Sequence, residues 1–95
     1  MTIESVLQEQ RDFLVLDTTT WVKRSPKVLN EACMAVRMDS GWERQVIGQD
    51  ASLFVQTMLL NNIPLTGWND NLAQSKEQVI EVLEKAIALA GERGI

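Results

Sequence analysis

Residues Ile63 to Ala90 read IPLTGWNDNLAQSKEQVIEVLEKAIALA, and this stretch decides the fold because it holds the most regular pattern in the chain. Ser75 and Gln78 have the spacing of a capping box, in which the two side chains bond free amides at a helix start. The apolar residues that follow recur at helical spacing. They are Val79, Leu83, Ala86 and Ala90, widened by Ile80, Val82, Ile87 and Leu89. Gly91 or Gly94 ends the pattern, so we expect an amphipathic last helix.

The sequence Trp68-Asn69-Asp70 lies just before this helix, within residues 66–73, which we expect to form a structured loop. Asn and Asp side chains often bond nearby backbone groups in turns, and Gly67 permits an unusual backbone dihedral. Two interpretations stay open. In one, Trp68 plugs the core while Asn69 and Asp70 lock the turn into the last helix. In the other, these residues form a polar recognition loop with an aromatic anchor.

The chain opens with a second helical pattern, for which Thr2 is a suitable N-cap. Its repeating positions are Ile3, Val6, Leu7, Gln10 and Leu14, with Gln10 as the one polar interruption. We favour a helix to about Val15, although residues 13–16 alone would also suit a strand. Asp17 to Thr20 break the helix because consecutive β-branched residues favour turns and extended backbone. An extended or β segment is therefore predicted near residues 20–25.

Two more helices are expected in the middle of the chain. The first spans Val28 to Met38 and stops at Ser40-Gly41, where the glycine suits a left-handed helix end. Residues 42–48 are then a connection. The second helix begins at an Asp50 N-cap and stops before Pro64. Its predicted apolar face is Leu53, Phe54, Thr57, Met58 and Leu60.

These patterns predict a mainly α protein with about four helices in a small bundle. Residues 1–95 form a single domain in this prediction, and the short extended segment near residues 20–25 is its one possible β element. Ninety-five residues suffice for one modest core, and 45% apolar with 23% charged residues is an ordinary globular composition.

Composition also limits the partners and the compartment. A net charge of −4 argues against nucleic acid or an anionic membrane as a partner, because either would need a basic surface. Cys33 is the only cysteine, so no intrachain disulfide can form, and we expect it to behave as a small buried hydrophobe in a reducing cytoplasm. No secretory leader or membrane-spanning run is recognisable, which also favours a cytoplasmic protein.

The absence of histidine limits the chemistry further. It removes Ser-His and Cys-His nucleophiles and every zinc site that contains histidine. The carboxylates have no recognisable metal-binding spacing; they include Asp39, Glu43, Asp50, Asp70 and Glu77. We therefore expect no enzyme activity, no catalytic residue, no metal and no cofactor.

One basic cluster remains, formed by Trp21, Lys23 and Arg24 with Lys27 nearby. It is either a solvated loop or a contact patch for an anion or a partner. The cluster lacks the glycine-rich turn that usually supplies backbone amides to a phosphate.

The last third of the chain resembles a family of short bacterial and phage proteins known only as a domain of unknown function. The resemblance lies in Trp68-Asn69-Asp70, in Gln74-Ser75, where the family has Arg-Thr, and in the helix from Glu77 through Leu83 to Ala86. Upstream, Trp21 and the segment Cys33 to Val36 stand in corresponding places. The resemblance implies a helical architecture and a bacterial or phage origin, and it implies no catalytic residue.

The leading functional hypothesis is a non-enzymatic protein-protein interaction module, for example a phage or mobile-element accessory protein that acts on a host factor. Tryptophan is enriched among interface hot spots, and this chain has three. A homodimer through the wide apolar face of the last helix is a further expectation. The alternative is a small-ligand binding protein with a pocket near Trp21, Lys23 and Arg24 and the Trp68 loop. The candidate binding residues are thus Trp21, Lys23, Arg24, Trp68, Asn69 and Asp70.

Overall fold

The computed structural model describes residues 1–35 and 45–95. Within them the chain forms α1 (Ile3–Leu14), β1 (Thr20–Trp21), β2 (Glu31–Ala32), α2 (Gln45–Leu59), α3 (Leu65–Asn71) and α4 (Lys76–Arg93). The mainly α prediction is confirmed, as is the extended segment near residues 20–25. None of the helices in the described ranges is long and apolar enough to cross a membrane.

Helix α4 spans 18 residues, and local side chains determine its ends. The Ser75 hydroxyl accepts a hydrogen bond from the Gln78 amide at 3.1 Å, as predicted. The Gln78 side chain accepts from the amide of Gln74 at 2.7 Å, one residue earlier than a standard capping box requires. Gly94 ends the helix in the left-handed conformation, with φ of 69°. The buried face is the predicted one: Val79, Leu83, Ala86, Ile87 and Ala90.

Helix α1 packs along α4, and α2 contacts both of them. Thr2 and Ser5 cap α1 reciprocally, and the helix continues to Leu14, so residues 13 and 14 are helical rather than strand. Its N-terminal turn is tied to the other end of the chain, because the Ile95 carbonyl oxygen accepts from the Ile3 amide at 2.6 Å. The wide apolar stripe of α4 is thus met by two helices of the same chain and does not require a second copy.

Two strands of two residues each pair in parallel, with Thr20 opposite Glu31 and Trp21 opposite Ala32. The predicted helix over Val28 to Met38 is therefore wrong in its described part. The strand pairing uses the Asn30 and Ala32 carbonyl oxygens, which a helix would have needed for its own hydrogen bonds. Residues 36–38 of that prediction, its Ser40-Gly41 stop and Trp42 lie outside the described residues.

Helix α2 begins at Gln45, so Asp50 is inside the helix and is not its N-cap. The reason is that the buried face starts a turn earlier than predicted, at Gly48, and continues through Ala51 and Val55. Two residues of the predicted apolar face are largely exposed, Leu53 at 58% and Met58 at 38%, and Thr57 is exposed as well. Phe54 and Leu60 do pack against the core.

The predicted stop after α2 is confirmed. Asn61 and Asn62 both have positive φ, of 53° and 67°, a conformation that Asn tolerates better than most residues. The amide of Asn62 donates to the Gln56 carbonyl oxygen at 3.0 Å, which closes the turn.

Candidate functional site

The sequence Trp68-Asn69-Asp70 lies in a helix, α3, and the prediction of a loop is wrong. Pro64 precedes the helix with a φ of −56°, and its carbonyl oxygen accepts from the Trp68 amide at 2.9 Å. A proline suits this place because the first amides of a helix have no partner within it. Gly67 does not have a positive φ, so its conformational freedom is not used.

Asn69 is completely buried, and every hydrogen-bonding position of its side chain is used. Its Oδ1 accepts from Trp21 Nε1 at 2.7 Å and from the Met34 amide at 3.0 Å. Its Nδ2 donates to the Val22 carbonyl oxygen at 3.0 Å and to Asp70 Oδ1 at 2.9 Å. We call Asn69 with these four partners the Asn69 junction.

The Asn69 junction joins three segments that are distant in sequence: the end of β1, the residues after β2, and α3. The first interpretation of residues 66–73 is therefore modified. Asn69 rather than Trp68 occupies the fully buried position, while Trp68 is half-buried against the core. Asn69 also does not lock a local turn, since three of its partners lie 35 to 48 residues away.

Lys76 supports the junction from the start of α4. Its Nζ donates to the carbonyl oxygens of Leu16 at 2.9 Å and Thr19 at 2.7 Å, and so holds the turn that leads into β1. Gln10 makes a similar buried link, because its Nε2 donates to the Cys33 carbonyl oxygen at 2.8 Å. The sequence signalled Gln10 only as a polar interruption of an apolar face, and it gave no signal for Lys76.

The two predicted cations near Trp21 have different surroundings. Lys23 Nζ lies 5.8 Å from the centroid of the half-buried Trp21 ring, which is within cation–π range. Arg24 turns to Glu31 instead and forms a bidentate ion pair, with nitrogen–oxygen distances of 2.9 and 2.6 Å. The Lys27 amide donates to the same Glu31 carboxylate at 3.0 Å.

These bonds change the acidity of Glu31. The hydrogen bond from Arg24, supported by the one from the Lys27 amide, lowers the pKa of Glu31 from 4.5 to about 2. The same bond raises the pKa of Arg24. Both groups are therefore charged at neutral pH, and the ion pair persists into the acid range. Glu31 was not among the predicted site residues.

Residues 22–30 form the connection between the two strands, and we call them the braced loop. Parallel strands are usually connected by about a dozen residues or more, so this crossover is short. The Glu31 carboxylate accepts hydrogen bonds from the Arg24 guanidinium and the Lys27 amide of this loop. The Glu31 amide donates to the Val28 carbonyl oxygen at 3.1 Å. The amide of Thr20 also holds the carbonyl oxygen of Asn30, at 2.7 Å.

The braced loop carries apolar side chains in water. Leu29 is 98% exposed and Val28 58% exposed. Both residues fall within the helix that was predicted from Val28 to Met38. In the structure they lie instead in the connection between β1 and β2.

The structure brings some of the six predicted binding residues together and separates others. Trp21, Asn69 and Asp70 meet in the junction, and Lys23 lies over the Trp21 ring. Arg24 faces Glu31, and Trp68 packs on the core. The Asn69 amide and the Arg24 guanidinium, two polar groups expected to line a ligand pocket, are thus already bonded within the chain.

In residues 1–35 and 45–95, no three His, Cys, Asp or Glu side chains lie close enough together to hold a metal ion. Comparisons of the chain with protein-family models, with curated proteins and with solved structures find no match.

Proposed function

We propose that this protein is a non-enzymatic interaction module whose braced loop contacts a partner protein. The observation that carries the proposal is Leu29, a large aliphatic side chain that is 98% exposed and adjoins the exposed Val28. Single apolar residues on a surface are common, so exposure alone would be weak support. Here the two side chains are adjacent and lie on backbone that hydrogen bonds hold in place.

The bracing strengthens the proposal because it lowers the entropic cost of binding. A flexible loop loses conformational freedom when a partner immobilises it, whereas a loop already held in one conformation loses little. The Glu31 carboxylate holds Arg24 and Lys27, and the Glu31 amide holds Val28. Leu29 therefore lies on a backbone that hydrogen bonds already hold before a partner binds.

A host factor is the partner class that the resemblance to bacterial and phage proteins favours. Binding of this kind needs no catalytic group, which agrees with a chain that lacks histidine. The homodimer is a separate hypothesis. The apolar stripe of α4 that suggested it packs against α1 and α2 of the same chain.

The test is site-specific photocrosslinking in the source cells, with the photoreactive amino acid at position 29 and, as a matched control, at position 53. Leu53 is also an exposed leucine, but it lies on α2. We expect position 29 to crosslink to one protein that position 53 does not reach. The same set of crosslinked proteins at both positions would contradict the proposal.

A further inference from the structure

The charge around the braced loop differs from the charge of the chain as a whole. The chain has nine Lys and Arg against thirteen Asp and Glu. Residues 18–30 hold three of those cations, Lys23, Arg24 and Lys27, and no acidic residue. An acidic protein therefore presents its exposed Val28 and Leu29 from a locally basic segment.

The ion pair between Arg24 and Glu31 determines which of these charges are left for a partner. Glu31 neutralises Arg24, so the positive charge of the loop resides mainly on Lys23 and Lys27. Both lysines are exposed and precede Val28 and Leu29 in the same loop, and the Lys27 backbone is held by Glu31. Their side chains can extend along an apolar contact while the ammonium groups reach its edge.

Charges within about 8 Å of a contact dominate its electrostatics at physiological salt, because more distant exposed charges are screened. A partner on the braced loop would therefore meet the exposed Lys23 and Lys27 of the loop itself. Complementary charge favours the correct partner, and like charge at close range excludes wrong ones.

We infer that the braced loop recognises an acidic protein surface, in which carboxylates flank an apolar depression that receives Leu29 and Val28. This inference rests on the proposed function and adds the chemistry of the partner to it. In this inference Leu29 is the apolar anchor, and the exposed Lys23 and Lys27 of the same loop supply the positive charge. Arg24 and Glu31 pair with each other and hold the loop.

The inference can be tested with a displayed library of random peptides selected on the whole protein. A large excess of the soluble Leu29→Gln variant removes peptides that bind elsewhere, and the Leu53→Gln variant is the matched control for a lost exposed leucine. Thermal unfolding of both variants checks that the fold is intact. We expect peptides that require Leu29, that combine apolar residues with flanking Asp or Glu, and that bind about tenfold more weakly to Leu29→Gln.

The charge is tested with the double variant Lys23→Gln/Lys27→Gln. We expect the acidic peptides to bind this variant about threefold to tenfold more weakly, since each exposed charge pair contributes only modestly to binding. Leu29-dependent peptides that are neutral or basic would overturn the acidic partner and leave the interaction module standing. A library with no Leu29-dependent peptide would overturn both.

A second copy of the chain is the alternative partner of the braced loop, and it needs a test of its own. Light scattering of the protein alone measures its mass in solution. A dimer that disappears in Leu29→Gln and persists in Leu53→Gln would assign the braced loop to self-association and overturn the acidic partner. A monomer in all three proteins agrees with the inference.

Discussion

The Asn69 junction and the braced loop are both held by hydrogen bonds to an Asn or Glu side chain, but the two regions are used differently. In the junction all four positions of the buried Asn69 amide are occupied, so this amide has no hydrogen-bonding position left for a ligand. In the loop, Glu31 holds the backbone while Val28 and Leu29 remain in water. A hydrogen-bonded polar side chain can thus link core segments in one place and hold an exposed loop in another.

Removal of the junction amide should have the largest effect on stability. Asn69→Ala leaves Trp21 Nε1, the Met34 amide and the Val22 carbonyl without the fully buried partner that they share. Unpaired buried polar groups cost about 1–3 kcal/mol each, so we expect the free energy of unfolding, measured in urea, to fall by about 3 kcal/mol or more. Asn71→Ala is the control, because Asn71 is exposed on the same helix. Similar stabilities for the two variants would show that the amide is not a structural link.

Lys76→Met should have a smaller effect on the same region. The substitution keeps an apolar stem but removes the bonds to the Leu16 and Thr19 carbonyl oxygens. We expect the free energy of unfolding to fall by about 1.5 kcal/mol, the lower end of the range for hydrogen bonds with a charged group, because the bond to Leu16 is exposed to water. Lys85→Met is the control, since Lys85 makes an exposed pair with Glu81 and such a pair is worth about 0.3–0.5 kcal/mol. An equal loss in both variants would argue that the carbonyl contacts contribute nothing specific.

The ion pair of the braced loop predicts a particular dependence on pH. The folded-state pKa of Glu31 is about 2, below its ordinary value of 4.5, so its contribution to stability is complete above about pH 4.5. Between pH 4.5 and 2 the unfolded chain takes up a proton that the folded chain does not, and the contribution is lost. We expect the stability difference between wild type and Glu31→Gln to shrink over this window. A difference that stays constant from pH 6 to pH 2 would contradict the low pKa.

Leu29→Gln should have the smallest effect on stability, because it removes no packing. We expect the free energy of unfolding to stay within about 0.5 kcal/mol of wild type. Leu83→Ala, on the buried face of α4, should lose about 2–5 kcal/mol in the same measurement. If Leu29→Gln destabilised the protein comparably, its side chain would be part of the core and the braced loop would lose its role as a surface.

Local patterns explain which parts of the fold could be predicted. The caps of α1 and α4, the buried face of α4 and the stop at Asn61-Asn62 depend on residues within about one helical turn of each other. The errors occurred where packing overrides such patterns. Val28 and Leu29 suit a helix, but pairing with β1 uses the backbone groups around them, and α2 starts early because Gly48 is buried.

Some residues of the candidate site could be predicted from the sequence, but the contacts between them could not. Asn69, Asp70 and Trp21 were singled out for their residue types, and the structure places them in contact. The partnership of Arg24 with Glu31 was missed, because the helix predicted there would have placed Glu31 on a different element. Lys76 was missed because its partners lie 57 and 60 residues away in the chain.

The sequence by itself determined a mainly helical chain with a capped, amphipathic last helix and no histidine for acid-base chemistry. These properties follow from composition and from interactions between residues near each other along the chain. Only the tertiary structure decided that Asn69 is a saturated core link and that Leu29 is exposed. Both outcomes depend on how β1, β2 and α3 meet in space, and such long-range pairing leaves no periodic signal in the sequence.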